Sequence, residues 1–153
     1  MLRAASFALL AVAACTGVPP APTVHAFRLL PGADLREGIQ REVDRLGIEA
    51  GWVATCVGSL TDYSLRFADQ QYAATGRGHF EIVAMTGTVS KHGSHLHLAV
   101  SDEQGRTVGG HLVAGCRVYT TAEIVLGLAP DLAFTRAVDG STPWAELQIV
   151  RRR

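Results

Sequence analysis

Three histidines near the middle of the chain have the spacing of a metal site. His95 and His97 are one residue apart, and His111 follows the polar stretch SDEQGR at residues 101–106. Alternate residues of a β-strand point to the same face, so His95 and His97 share a face if this segment is extended. If the polar stretch is a hairpin turn centred on Gln104, His97 lies directly opposite His111, with Cβ atoms about 5 Å apart. The spacing therefore predicts that three imidazoles converge on one side of a two-stranded ribbon.

Three converging imidazoles suit zinc or another divalent metal. Zinc binds histidine nitrogens at about 2.0–2.1 Å and often keeps a fourth position for water or a ligand. We therefore predict that His95, His97 and His111 hold a metal ion. Two alternatives stay open. The histidines could pack without a metal, and Gly109-Gly110 could form a β-bulge that shifts the register by one residue and turns His111 away from the other two.

Further side chains are candidates for supporting the metal or binding a ligand. Glu123 and Tyr119, on the strand predicted at residues 117–126, could orient a ligand or donate a proton, and ordinary cross-strand packing is their alternative. Arg106, at the end of the hairpin, could contact an anionic ligand or another subunit, and solvent exposure is its alternative. The sequence has no nucleophile elbow, no recognisable pair of catalytic carboxylates and no phosphate-binding glycine loop. It therefore specifies neither catalytic residues nor an enzymatic reaction.

The elements that position these residues are one helix and many strands. Asp34 and Glu37 form a capping-box pattern, and the apolar positions that follow recur at helical spacing up to the stop signal at Gly47. Strand patterns occupy residues 24–30, 52–57, 63–67 and 79–89, both arms of the histidine hairpin, and residues 117–126 and 145–150. Residues 130–143 have the composition of a loop. One helix with many short connections predicts an α+β domain whose sheet is mostly antiparallel and packs the helix on one face.

The first 23 residues have the pattern of an export leader. Arg3 precedes an apolar run at residues 4–14 that is too short to span a bilayer. Small residues before Cys15 resemble a bacterial lipoprotein cleavage box, so we expect a lipidated Cys15, a Pro-rich tether to residue 23, and a protein anchored in the cell envelope or periplasm. A plain secretory signal and a misassigned start codon, which would leave the protein cytoplasmic, are the alternatives. The domain then covers residues 24–150, and residues 151–153 form a basic tail.

Composition narrows the classes of partner. Basic and acidic residues number 14 each, so the formal net charge is zero and no basic field favours nucleic acid. Charged residues make up 18% of the chain, below the roughly 25% typical of soluble domains, which fits a sheet-rich protein that buries surface in an oligomer. Apart from Cys15, Cys56 and Cys116 lie in apolar runs, where they form either one disulfide or two buried thiols.

Long segments of the chain resemble a known family. The segments are GSL at residues 58–60, GHFEIVAMTGTVS at residues 78–90 and HLHLAVSDEQGRTVGGHLVAGCRVYTTAEIVL at residues 95–126. From residue 24 to residue 150 the sequence is similar to the plants-and-prokaryotes conserved (PPC) domain. The resemblance implies a bent, mainly antiparallel sheet of about seven or eight strands with a flanking helix, and a homotrimer. Some prokaryotic members have histidines at the positions of His95, His97 and His111, so the resemblance also implies a metal.

Three functions compete at this point. The first is a trimeric metal-binding domain that takes a small ligand or has an unknown activity. The second is DNA binding, a label that prokaryotic members inherit from plant relatives with a separate AT-hook. Here Gly76-Arg77-Gly78 lacks the flanking arginine and proline of that hook, and neutral charge and an export signal oppose DNA contact. The third is a structural envelope module whose histidines bind nothing.

Overall fold

A computed structural model of the chain describes residues 23–152 as eight strands and one helix. The predicted leader, Cys15 and nearly all of the tether lie outside the described residues, as does Arg153. The elements in chain order are β1 (Thr23–Leu29), α1 (Leu35–Arg45), β2 (Gly51–Arg66), β3 (Ala74–Val89), β4 (His95–Ser101), β5 (Thr107–Leu112), β6 (Arg117–Leu128), β7 (Leu132–Ala137) and β8 (Glu146–Arg151). Among the residues described, no helix has the length and apolar character that crossing a bilayer requires.

Helix α1 begins and ends where the sequence predicts. The Asp34 carboxylate accepts a hydrogen bond from the backbone N–H of Glu37 at 3.0 Å, which satisfies one of the free donors at the helix start. Three apolar residues of the predicted face, Leu35, Ile39 and Val43, are fully buried. Beyond the helix, Gly47 has a φ of +60°, a conformation that favours glycine. The helix is thus tied to the sheet core by one apolar stripe.

The main sheet is antiparallel and closes partly on itself. Its strand order is β1-β6-β2-β3-β4-β5, and β5 also pairs with the end of β2 through Leu65 opposite Leu112 and Arg66 opposite His111. Strands β2 to β5 therefore curl into a small barrel-like unit, which is the bend that the family resemblance implies. The core inside this curl is built from buried aliphatic side chains that include Leu60, Leu65, Leu96, Val100, Leu112 and Ile124.

Strand β2 is one long strand where the sequence predicts two. The sequence predicts separate strands at residues 52–57 and 63–67, but the chain stays in the sheet from residue 51 to residue 66. The register of β2 against β3 and β6 shifts between Leu60 and Asp62, and Gly58 has a φ of +138°. A bulge and a glycine therefore bend the strand without ending it. Strand β3 begins at Ala74, five residues before the strand predicted at residues 79–89.

The predicted loop at residues 130–143 is wrong over most of its first half. Residues 132–137 form β7, which pairs with β8 in a separate two-stranded sheet. The hairpin is fastened to the segment that precedes β2, since the N–H of Phe134 donates to the carbonyl of Glu49 at 2.8 Å. Strand β8 also includes Arg151, which the sequence placed in the tail and which lies 3.6 Å from Asp131 in an ion pair.

Both described cysteines are free thiols in the core. Cys56 and Cys116 are buried and unpaired with each other. Burial raises the pKa of Cys56 to about 12 and that of Cys116 to about 11. The Cys116 thiol accepts from the N–H of Ser64 at 3.2 Å. Of the two alternatives left open by the sequence, the structure contains the buried thiols.

Candidate metal centre

The histidine hairpin has the register that the spacing predicts. Strands β4 and β5 pair without a break from Ser101 opposite Thr107 to His97 opposite His111. The turn is closed by Asp102, whose N–H donates to the carbonyl of Arg106 and whose carboxylate accepts from the N–H of Gln104. The bulge considered at Gly109-Gly110 is not present.

The three imidazoles converge on one point. Ring centroids lie 5.1 Å apart for His95 and His97, 5.1 Å for His95 and His111, and 5.6 Å for His97 and His111. The Nε2 atoms of His95 and His97 are 3.2 Å apart, and one nitrogen from each of the three rings lies within 4.8 Å of the others. Nitrogens bound to one tetrahedral zinc are separated by roughly 3.3 Å. A small movement of the rings would therefore bring all three to a common ion.

The strand that carries His95 and His97, β4, packs closely against β3 because β3 has a glycine at this point. Gly87 of β3 lies opposite Leu96, between the pairs Thr88–His95 and Thr86–His97. Its φ is +142°, and a Cβ atom there would collide with the backbone carbonyl of His95. Only glycine adopts this conformation without strain. The absence of a side chain at Gly87 therefore determines how closely β4 approaches β3 at His95 and His97.

The surroundings of His95 and His111 disfavour the charged form of these two imidazoles. Burial, helped by the neighbouring His95 and Arg66, lowers the pKa of His111 to about 4. Burial and the nearby Arg136 also hold the pKa of His95 below its ordinary value. A neutral imidazole offers a lone pair to a metal, whereas an imidazolium does not.

One atom of the site lacks a partner. The Nδ1 atom of His111 is buried and makes no hydrogen bond. Buried polar atoms are nearly always paired, and an unpaired one costs about 1–3 kcal/mol. An ion at the meeting point of the rings is one partner that could satisfy this imidazole. The donor set and the unpaired nitrogen therefore both fit a metal that prefers histidine nitrogens.

The structure does not bring the other candidate residues to the histidines. Tyr119 stacks on His79 with centroids 4.3 Å apart, and Glu123 lies on β6 opposite Arg28 and Val57. Strand β6 pairs with β1 and β2 and not with β4 or β5, so these two side chains lie outside the histidine hairpin. Arg106 pairs with Asp102 at 2.8 Å at the far end of the hairpin, where it lines a different cleft that also includes His79.

Different charged residues line the histidines instead. Two open clefts of about 300 Å³ each adjoin the rings and share His95, Arg136 and Glu146. One of them also includes Arg66 and Trp144. Arg66 reaches the site through the β2–β5 closure, and the other three residues belong to the β7–β8 hairpin. The sequence carried no local signal for either feature, because both depend on contacts between distant segments.

Comparison with known proteins agrees with this fold. A family model described as the Plants and Prokaryotes Conserved (PCC) domain matches residues 17–130. A solved structure of a hypothetical protein from Salmonella enterica is 41% identical, has a TM-score of 0.85, and covers 87% of this chain and 96% of its own. A metal-containing protein from Archaeoglobus fulgidus is 25% identical with a TM-score of 0.68, over 82% of this chain and 93% of its own.

Two further similar proteins provide different amounts of evidence about this chain. A Bacteroides thetaiotaomicron protein whose name proposes DNA binding has a TM-score of 0.72 over 84% of this chain and 96% of its own, but at 17% identity it shows the fold alone. The bifunctional protein GlmU of a Synechococcus strain is 45% identical over 141 residues, which are 89% of this chain and 23% of that protein. The chain thus spans about a quarter of that curated relative.

Family model and solved structures agree on the same fold. The matched residues 17–130 contain β1 to β6 and all three histidines. The chain therefore belongs to the Plants and Prokaryotes Conserved domain family.

Proposed function

We propose that this chain is a metal-binding domain that holds one divalent transition metal, preferably zinc, through His95, His97 and His111. The observation that carries the proposal is the convergence of three imidazoles with an unpaired buried nitrogen on His111. The Archaeoglobus relative, which is named a metal-containing protein, adds support. Three histidines leave a further coordination position for a small ligand.

A bound zinc ion would supply Lewis-acid chemistry and lower the pKa of a coordinated water to about 7. The chain's own residues would hold this ion and surround it in the following way. His111 and His95 stay neutral through burial, Thr88 positions the Arg136 guanidinium at 3.1 Å, and the β7–β8 hairpin narrows access from solvent. This arrangement supports binding of a small ligand, and the proposal includes no particular reaction.

The metal proposal is tested by elemental analysis of protein purified without a histidine tag. We expect close to one zinc or similar ion per chain, with Co²⁺ as a spectroscopic substitute. His97→Ala should lose the stoichiometric metal. His92→Ala is the matched control, because His92 is a half-exposed histidine that lies 3.6 Å from Glu49 outside the cluster. Full metal content in His97→Ala, or equal loss in both variants, would contradict the proposal.

We also propose that the domain works as a homotrimer. The family resemblance suggests this state, and exposed apolar side chains on neighbouring strands give a surface that another copy could cover: Val57 is 52% exposed, Val83 is 53% and Tyr119 is 43%. Light scattering during gel filtration should give the mass of three chains. The mass of a single chain would remove this part of the proposal.

The location proposed for the protein is the cell envelope, with a lipid on Cys15. Support comes from the leader sequence alone. Mass measurement of the mature protein in its native host should give an N-terminal lipidated Cys15. An intact Met1 in the soluble fraction would overturn this location.

A second candidate function is DNA binding, which the name of the Bacteroides relative favours. The net charge of zero opposes it. A gel-shift series in rising salt separates the two, because a protein that contacts phosphates loses affinity steeply as salt increases.

A further inference from the structure

We propose that the cleft beside the three histidines recognises a small molecule bearing an oxyanion, a carboxylate or a phosphate, through Arg66 and Arg136. This inference rests on the proposed metal site and names the class of ligand that would occupy its free side. It concerns residues of the β2–β5 closure and of the β7–β8 hairpin. The hairpin lies beyond residues 17–130, the span that the family model matches.

The two arginines are placed against the histidines by backbone pairing. Arg66 lies directly opposite His111 where β2 meets β5. Arg136 on β7 donates to the Thr88 hydroxyl at 3.1 Å, and Thr88 lies directly opposite His95. Thr88 therefore holds the Arg136 guanidinium beside His95, and Arg66 lines the same cleft as His95 and His111. The field of both arginines on His95, and of Arg66 on His111, agrees with this placement.

Neither guanidinium is neutralised within the described part of the chain. Residues 23–152 include ion pairs for Arg41, Arg45, Arg77, Arg106 and Arg151, whereas Arg66 and Arg136 take part in none. Two arginines without an ion-pair partner beside the three histidines attract an anion. Their planar donors also match the geometry of carboxylate and phosphate oxygens.

One carboxylate belongs to the same cleft, and its position does not cancel the positive charge. Glu146 lines both clefts and accepts a hydrogen bond from the Thr142 hydroxyl at 2.5 Å. Arg36 of α1 adds a further positive charge that acts on His111. The charged side chains that line the two clefts, Arg66, Arg136 and Glu146, therefore leave a net positive charge even before a metal is added.

The size and walls of the cleft favour a small molecule over a polymer. Each cleft holds about 300 Å³, at the lower end of the range for small-ligand sites. Trp144, which is 69% exposed, forms an apolar wall between Arg66 and Glu146. The positive charge is local, since the whole chain is neutral. A small organic anion with an apolar portion fits this combination.

The test is a titration of full-length, Co²⁺-loaded protein with three probes: inorganic phosphate, succinate and the uncharged succinamide. Calorimetry gives the affinity, and the visible spectrum of Co²⁺ shows whether the anion reaches the metal. The variants are Arg66→Gln and Arg136→Gln. The control is Arg151→Gln, an arginine of the same hairpin whose side chain is 85% exposed.

We expect phosphate, succinate or both to bind the wild-type protein and to change the Co²⁺ spectrum, while succinamide does not bind. Arg66→Gln and Arg136→Gln should each weaken anion binding about tenfold or more and keep the metal content, whereas Arg151→Gln should bind like the wild type. Absence of anion binding to metal-loaded protein, or equal affinity in all three variants, would overturn the inference.

Failure of the metal proposal gives a different result. If the wild-type protein takes up no metal, the same titration is followed on the metal-free protein by the amide signals of residues around His111. Binding that depends on Arg66 and Arg136 would then support the oxyanion cleft without a metal. No binding, or binding that survives both substitutions, would reject the cleft as well.

Discussion

Replacing Gly87 by alanine tests how the sheet positions the metal ligands. A Cβ at residue 87 would lie 2.9 Å from the carbonyl carbon of His95 and from Cα of Leu96, where ordinary contacts begin at 3.4 Å, so β4 must retreat by at least about 0.5 Å. Zinc–ligand distances tolerate about 0.2 Å. We therefore expect Gly87→Ala to weaken metal affinity about 10–100-fold, the range for changes in residues that orient ligands.

The stability of the same variant has two separable contributions. The φ of +142° at Gly87 costs a non-glycine residue about 1–3 kcal/mol, and overpacking against β4 adds about 1–3 kcal/mol. Gly93 is the matched control, because its φ is +118° and a Cβ there meets nothing within 4 Å. Gly93→Ala should therefore lose stability through backbone strain alone and keep its metal.

The assays are urea unfolding of the metal-free proteins and competition for Zn²⁺ with a chelating dye. We expect a lower free energy of unfolding for both variants and a lower zinc affinity for Gly87→Ala only. Wild-type zinc affinity in Gly87→Ala, or an equal metal defect in Gly93→Ala, would refute it.

The structure leads to four further predictions. Burial lowers the pKa of His111 to about 4 and also lowers that of His95. The metal content of the protein should therefore stay constant as the pH falls below the ordinary histidine pKa of about 6.5, and it should decrease as the pH approaches 4. Complete loss of the metal by pH 6 would contradict this expectation. Metal-free protein should lose stability over the same interval, because unfolded histidines bind protons there and the folded ones do not. Cys56 and Cys116, with raised pKa values, should react with a thiol reagent at pH 8 only after unfolding, as read by peptide mapping, and rapid labelling of the native protein would be the opposite result. Glu42 accepts from Arg45 at 2.7 Å and contacts His25 at 2.8 Å, and the Arg45 hydrogen bond is the main cause that lowers its pKa to about 2; Glu42→Gln should therefore destabilise the protein at pH 7 in urea unfolding, with the difference lost as pH falls toward 2.

The sequence predicted the hairpin and the helix because local patterns encode them. Alternation places His95 and His97 on one face, and the turn length fixes His111 opposite His97. The capping residue Asp34 likewise marks the start of α1. In each case the residues that decide the geometry lie within about one hairpin or one helix of each other.

The structure has as many strands as the sequence predicts, because two errors in the prediction offset each other. The predicted break at Gly58 divided β2 into two strands, and the predicted loop at residues 130–143 omitted β7. A glycine is typical of a turn when only the sequence is considered, although here the neighbouring strands keep Gly58 in the sheet. Strand β7 is short and is identified only by its pairing with β8.

The wall of the site could not be predicted in the same way. Arg66 meets His111 only because the curled sheet brings β2 to β5, a contact between segments far apart in the chain. Glu123 and Tyr119 lie on the strand that follows the hairpin in sequence, yet that strand pairs with β1 and β2 and not with β4 or β5. Strand order, which local periodicity does not determine, decided which charges surround the histidines.

The central claim is that one ion is shared by three histidines. Anomalous scattering measured at the zinc absorption edge, from crystals grown with zinc, tests it most directly. We expect one strong peak at about 2.0–2.1 Å from a nitrogen of each of His95, His97 and His111. A peak bound to other residues, or no peak at these three rings in zinc-replete crystals, would contradict it.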